Sequence, residues 1–409
     1  MTTGDATRET TAAHVGEASA ETGGAVTSAA VHSGPDWKSA TEAVLASLAE
    51  AAKPDLGLVF IDSRFADHYG DVLARLRKGT GVANLVGASG EAVIGPGVEA
   101  QIEPAVSFLG LSLPGLEATT ISLPTGAPLE PALERVAAAG ARAWLIFADP
   151  FSIDGEPLVR AIEGRAPDVP LLGGLASSHD MRGGAAVFSG GEVQAGGAVL
   201  VGLKGDFNLH SIVAQGAEPI GQPWTVTACE GNIVRELGSR PALEVLQDTL
   251  ASLDPETRAR AQRNLLVGLA MDEYRYQHGR GDYLIRNIMG GDRESGAISV
   301  NAIPRVGQTF QFQFRDADAA DEDLRAHLQI LKQRLLPGET VVGAVLCACN
   351  GRGQGLFGTP HHDAQALADA LGPVPTAGIF ASGEIGPVAG TTFLHGFTAS
   401  IALLTARAR

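Results

Sequence analysis

Residues 84–97, NLVGASGEAVIGPG, and residues 376–390, TAGIFASGEIGPVAG, lie near opposite ends of the chain and carry the same signature. Ala88 to Glu91 and Ala381 to Glu384 both read Ala-Ser-Gly-Glu, followed by Ile94-Gly95-Pro96 and Ile385-Gly386-Pro387. What surrounds them repeats as well. Leu56 to Asp62 (LGLVFID) reads as a buried strand and Tyr69 to Lys78 as a helix; Val341 to Cys349 (VVGAVLCAC) and a helix over Asp363 to Leu371 restate that order. Each signature runs on into another apolar strand, around Ala105 to Leu113 and Phe397 to Leu404. Internal repeats decide architecture before individual motifs do.

A fainter copy runs through AWLIFAD (143–149), a helix over Glu156 to Glu163, LLGGLASS (171–178) and strands near 186–188 and 198–203. A fourth run is expected in NLLVGLAM (264–271), YLIRNIMGGDRESGAISV (283–300) and TFQFQFRD (309–316). The expected class is mixed α/β (α+β), with two related halves built from strand-helix-strand-strand repeats. Each half is a mixed, partly antiparallel sheet structure with helices on its outer faces.

The halves are expected at 35–222 and 223–409, joined near Pro219 to Pro223 and followed by WTVTACEGNIVREL, where Glu230-Gly231-Asn232 can turn a hairpin. Residues 1–34 are rich in Thr, Ala, Ser, Gly and Glu and are expected as a disordered tail. Asp36 caps a helix whose Ala43, Val44, Leu48 and Ala52 share a face until Pro54 ends it. Phe310, Phe312 and Phe314 alternate with Gln311 and Gln313, the pattern of a half-buried strand, and a helix with an acidic first turn runs over Leu324 to Leu336.

With 409 residues, 45% hydrophobic and 19% charged, the chain can bury sizeable cores. The net charge of −16 repels phosphate backbones and anionic lipid, so neither nucleic acid nor membrane insertion is expected. Three cysteines do not make a disulfide framework and fit a reducing cytoplasm. The first residues lack a basic segment followed by an apolar core, so no targeting peptide is expected.

Several groups could carry chemistry. In Ser89-Gly90-Glu91 and Ser382-Gly383-Glu384 the carboxylate suits an ammonium group while glycine backbones offer N–H groups to an anion; a recurrent turn explains them equally. Cys347 and Cys349 share one face at a strand end, with Asn350, Gly351 and Arg352 in the loop beyond, where α/β sheets bind ligands. Arg352, or Arg286 beside Asn287, could clamp a carboxylate. Thr359-Pro360-His361-His362-Asp363 reads as a helix start with Thr as cap, or as part of a metal or hydrolase site. His395, among apolar residues, reads as a core histidine. Neither a cofactor nor a metal is expected, since Cys-x-Cys lacks the spacing common in zinc sites and no Gly-x-Ser-x-Gly elbow is present.

Taken together, VGASGEAVIG, Leu172-Gly173-Gly174, QGAEPIG, GNIVREL with Pro241-Ala242-Leu243, DYLIRNI, VGQTFQFQFRDA, CNGRG, HHDA, ASGEIGPV and FLHGFTAS resemble the FIST family, from about residue 37 to the end. That resemblance implies an N-terminal and a C-terminal FIST domain and a role in intracellular sensing, with small ligands such as amino acids. The family is often joined to transmitter domains, for which this chain has no room, so a separate signalling partner protein is expected. The expected function is a cytoplasmic sensor of a small ligand, an amino acid or related zwitterion. The alternatives are a hydrolase or thiol-dependent enzyme using Cys349 or Ser382 with His361 or His362, and a protein-interaction scaffold.

Overall fold

A computed structural model of the chain describes residues 15–180, 183–275 and 277–407. Two strands, β1 (Val15–Thr22) and β2 (Ala25–Ser33), precede α1 (Trp37–Ser47), β3 (Leu56–Asp62), α2 (Tyr69–Thr80), β4 (Asn84–Gly90), the short hairpin β5 (Val93–Gly95) and β6 (Val98–Ala100), and β7 (Ala105–Ser112). The order recurs in β8 (Glu117–Leu123), α3 (Leu129–Ala138), β9 (Ala143–Ala148), α4 (Gly155–Arg165), β10 (Leu171–Leu175), the hairpin β11 (Val187–Ser189) and β12 (Glu192–Gln194), and β13 (Ala198–Lys204).

A third unit opens with β14 (Asn208–Gln215) and is interrupted by β15 (Ala217–Pro219), β16 (Trp224–Glu230), β17 (Ile233–Leu237), β18 (Arg240–Pro241), α5 (Ala242–Ser252), α6 (Pro255–Arg263), β19 (Leu265–Ala270), β20 (Tyr283–Gly291), β21 (Ile298–Val300) and β22 (Thr309–Arg315). It resumes in α7 (Ala317–Arg334), β23 (Glu339–Cys349), α8 (Gln354–Phe357), α9 (His362–Leu371), β24 (Thr376–Ala381), the hairpin β25 (Glu384–Val388) and β26 (Thr391–His395), and β27 (Thr398–Arg407). The fold is therefore mixed α and β in two related halves. The first holds two strand-helix-strand-strand units, and the second holds the third unit with the inserted sheet.

Each unit builds a sheet, five-stranded in the first unit and four-stranded in the other two, with one parallel pair, β3/β4, β9/β10 or β23/β24, across a helical crossover. Every hairpin then leaves its own unit. β5–β6 extends the third sheet beside β24, β11–β12 the first beside β4, and β25–β26 the second beside β10. Two of the three sheets straddle the division at 222/223, because β5–β6 and β25–β26 cross it in opposite directions and β14 pairs with β27; the inserted sheet straddles it through β15, while the first sheet lies wholly before it. The inner faces of the three sheets share one core, in which Phe60 and Phe147 meet edge to face with ring centres 5.2 Å apart, beside Leu172, Cys347 and Ile379. Helices cover the outer faces: Val44 and Val72 pack on the first sheet, Leu133 and Leu158 on the second, Leu328 and Leu367 on the third.

One glycine per unit is dictated by this packing. A Cβ on Gly87, Gly173 or Gly378 would fall 1.7, 1.9 or 1.8 Å from the carbonyl oxygen of Val59, Ile146 or Leu346 on the neighbouring parallel strand. Only a residue without a side chain permits that approach.

Four expectations are corrected here. Of the supposed tail, 1–14 lie outside the described residues, but 15–33 form β1 and β2. β2 pairs with β7 over eight positions, and the Thr27 hydroxyl donates to the Val342 carbonyl. Small side chains that would not hold a chain in order alone are fully buried there, as Ala25, Ala29, Ala30 and Val31 show. Residues 264–316 are no fourth repeat: β19 pairs antiparallel with both β20 and β22, and their sheet has its own core of Val226, Leu237, Val245, Phe310 and Phe312. Gln311 and Gln313 are buried too, because both faces of β22 are covered. Finally, α9 is not capped by Thr359. The Glu99 carboxylate, reaching over from β6, accepts from the N–H groups of Asp363 and Ala364 at 2.7 and 3.1 Å.

Two helices have other bounds than expected, α1 ending at Ser47, short of Ala52, and α7 beginning at Ala317 rather than Leu324, while two local signals hold. Asp36 caps α1 by accepting from Ser39 N at 2.9 Å, and Glu230 pairs with Ile233 across a hairpin turned by Gly231 at φ 56°. Among the described residues, no helix is long and apolar enough to cross a membrane.

Candidate functional site

Where the inserted sheet leans on the second and third units, a cleft of about 510 Å³ opens. β23 ends on it with Cys349, the turn after β24 brings Ser382 and Gly383, and β26 brings Leu394 and His395. The inserted sheet supplies Ile285, Arg286, Asn287 and Met289 from β20, with Asn232, Asn301 and Ile303 from neighbouring turns. Unit two contributes Asp154 and Glu156, because α4 begins there: Asp154 is its N-cap and accepts from Glu156 N at 3.2 Å.

Among the described residues, Arg286 is the only arginine in this lining. Its side chain is 9% exposed, against 43% for its partner Glu156. One guanidinium nitrogen, Nη2, donates to Glu156 Oε1 at 2.6 Å and to the Leu394 carbonyl at 3.0 Å, and Nη1 donates to the Ile285 carbonyl at 3.0 Å. One side chain thus ties the inserted sheet to α4 and to the swapped hairpin.

Cys349, Ser382, Gly383, Arg286, Asn287 and His395 come together here; the other residues singled out in the sequence do not. Arg352 is 2% exposed and pairs bidentately with Asp363, Nε to Oδ2 at 2.6 Å and Nη2 to Oδ1 at 2.8 Å, so it braces α9, while its Nη1 is buried without a hydrogen-bond partner. Asp363, although buried, is held down to about 2: burial opposes its ionisation, and the Arg352 charge outweighs that. Gly351 receives Arg315, whose Nη1 donates to its carbonyl at 3.1 Å, and Asn350 N donates to the Ala381 carbonyl at 3.0 Å. His361 Nδ1 accepts from Glu99 N at 3.0 Å, and His362 stacks on Phe357 with ring centres 3.4 Å apart while bonding Asp363 and Asp321, both at 2.9 Å. Neither histidine lines the cleft with Cys349 or Ser382.

Glu384 lies behind the cleft wall, fully buried. Its Oε2 accepts from the N–H and hydroxyl of Thr398 at 3.1 and 2.8 Å, and burial pushes its carboxyl up to about 8. Its cross-strand neighbour His395 donates from Nε2 to the Gly386 carbonyl at 2.9 Å, and burial pushes it down to about 4, so the imidazole is neutral at pH 7. Burial, with Glu384 nearby, also pushes the Cys349 thiol up to about 12, which leaves no thiolate to act as a nucleophile. Cys347 is pushed higher still by burial.

The two Ser-Gly-Glu turns are not equivalent. Ile94 pairs with Gly378 and Ile385 with Gly173, so the two isoleucines match, and the position of Glu384 is filled in the first unit by Val93. Glu91 precedes that position by two residues and is partly exposed, 3.9 Å from His179. Ser89, buried at the seam of units one and two, donates to the Ser177 carbonyl at 3.1 Å, and Gly90 packs tightly under Ala92 and Ile379.

Sequence reasoning missed Asp154 and Glu156, although the Asp-Gly-Glu helix start in the turn that follows β9 was a usable signal. It also missed Asn232, Asn301 and Glu99, for which no local signal exists. Among the described residues, no three His, Cys, Asp or Glu side chains gather in a way that could hold a metal.

A FIST N domain model matches residues 55–240 and a FIST C domain model residues 242–387. An uncharacterized protein of Mycobacterium tuberculosis is 36% identical over 377 residues, 91% of this chain and 98% of that protein. One of Mycobacterium bovis is 36% identical over 353 residues, 86% and 90% of the respective chains. Among solved structures, the cyanuric acid hydrolase from A. caulinodans covers 94% of this chain and 99% of its own at 11% identity and a TM-score of 0.30, too slight a likeness for argument. FIST domains are associated with sensory signal transduction, and this chain, matched by both domain models and akin to its mycobacterial relatives along nearly its whole length, belongs to the FIST family.

Proposed function

We propose that the chain is a cytoplasmic sensor that binds a small zwitterion, an amino acid or a close relative, in the cleft beside Arg286. The observation that carries this reading is a guanidinium nine-tenths buried and already holding a carboxylate, in a cleft that also offers Asp154 and the amides of Asn232, Asn287 and Asn301. Arg286 suits the ligand carboxylate, and Asp154 with the amide oxygens suits its ammonium group. Because Arg286 joins three structural pieces, a ligand that recruits it shifts the balance between their arrangements, and a partner protein reads the altered surface.

A thermal-shift screen against the amino acids tests the reading. A ligand at 100 times its Kd stabilises by about 2.7 kcal/mol, and Arg286→Ala should remove about 1.5–3 kcal/mol of its binding. If no zwitterion shifts the melting temperature of the folded chain, or if Arg286→Ala binds as well as the parent, the reading is wrong.

A further inference from the structure

Arg286 stands between two hollows. One is the cleft described above; the other, of about 460 Å³, shares Glu156, Arg286, Ala302, Ile303 and Leu394 with it. Their chemistry differs. Beyond the shared residues the cleft offers Asp154 and three asparagines, whereas the second hollow is walled by Val159, Leu269, Leu284 and Phe393. Its charged side chains outside the shared set are the exposed Arg160 and Arg305, together with Glu163, whose Oε1 already accepts from Thr392 N at 2.7 Å.

We infer that the ligand is an α-amino acid, or a closely related carboxylate, bearing an apolar tail of several carbons. Its carboxylate takes the place of Glu156 on Arg286, and its tail lies in the second hollow. This rests on the reading of the cleft as a zwitterion site and adds what the zwitterion must carry. Orientation follows from charge. Two arginines disfavour an ammonium group in the second hollow, so that group stays beside Asp154 and only the apolar end passes Arg286.

Glu156 is the piece that moves. Its side chain is far more exposed than that of Arg286, and it belongs to the first turn of α4, where a negative charge is favourable without any partner. In the free protein its carboxylate fills the ligand's place, so a ligand must compete with it.

Calorimetric titration with alanine, 2-aminooctanoate and octylamine tests this. The aminooctanoate should bind at least about tenfold more tightly than alanine, since each methylene it buries adds affinity. Octylamine, lacking the carboxylate, should not bind. Glu156→Gln should tighten aminooctanoate several-fold by removing the competitor, and Leu284→Arg, which fills the second hollow, should bring the affinity ratio of the two amino acids toward one. Alanine and aminooctanoate binding alike, or Glu156→Gln weakening both, would overturn the inference while leaving the zwitterion site standing. Failure of both amino acids to bind the folded chain would remove that reading and this one with it.

Discussion

Glu384 and His395 face each other across the β25–β26 hairpin, and burial pushes each toward its neutral form. The consequences for stability have opposite signs. Between about pH 4.5 and 8 the Glu384 carboxyl keeps its proton in the fold while the unfolded chain has lost it, so its contribution is complete below about 4.5 and drains away as pH rises through 8. His395 does the reverse: its contribution is complete above about 6.5 and is lost as pH falls through about 4. Glu384→Gln keeps the acceptor for Thr398 and cannot ionise. Denaturant titrations from pH 5 to 9 should show the parent losing stability toward alkaline pH and the variant losing distinctly less. Parallel curves would mean that Glu384 is ionised in the fold. This acid was visible in the sequence as a candidate, but its burial was not, because Thr398 and the covering strands come from elsewhere in the chain.

At the scale of elements, the most consequential difference from expectation is β1–β2. A stretch of Ala, Thr, Ser and Gly has the composition of a chain that stays unfolded, since small side chains bury little area. Within a sheet already flanked by β7 and facing β23, small side chains are what fit. A Cβ on Gly16 would lie 2.4 Å from the Pro96 carbonyl, and Ala29 and Ala30 have almost no exposed surface. Removing residues 1–33 therefore strips a fully paired strand from the first sheet and uncovers the shared core. The expected loss is several kcal/mol, a fall in Tm of about 4–6 °C for a chain of this length, measured by calorimetry on the truncated chain. An unchanged Tm would return the segment to the status of a tail.

The whole molecule is held together by exchange. Each of the three sheets is completed by a hairpin from another unit, so no half closes its own core. A fragment ending at residue 222 keeps β5–β6 without β24, and β10 without β25, and leaves Phe60 and Phe147 without their cover from β23 and β24. Such a fragment should bind a hydrophobic dye, show poorly dispersed NMR spectra and melt without a cooperative transition, whereas the full chain melts cooperatively. A sharp melt with dispersed spectra from the fragment would show that the halves fold independently.

Most of the elements of the three repeated units were legible in the amino-acid order, whereas β1–β2 and the inserted sheet as a sheet of its own were not. The periodicity of LGLVFID and AWLIFAD, the Asp36 cap, the Glu230-Gly231-Asn232 turn and the repeated Ile-Gly-Pro are local, set by backbone sterics and by side chains a few residues apart. The tertiary structure alone decided which edge each hairpin completes, that Glu384 corresponds to Val93 rather than to Glu91, that Arg352 is spent on Asp363, and that Glu156 meets Arg286 across 130 positions of chain. The physical reason is that those outcomes depend on how three twisted sheets pack around one core, and a contact between distant segments leaves no periodic trace in either of them.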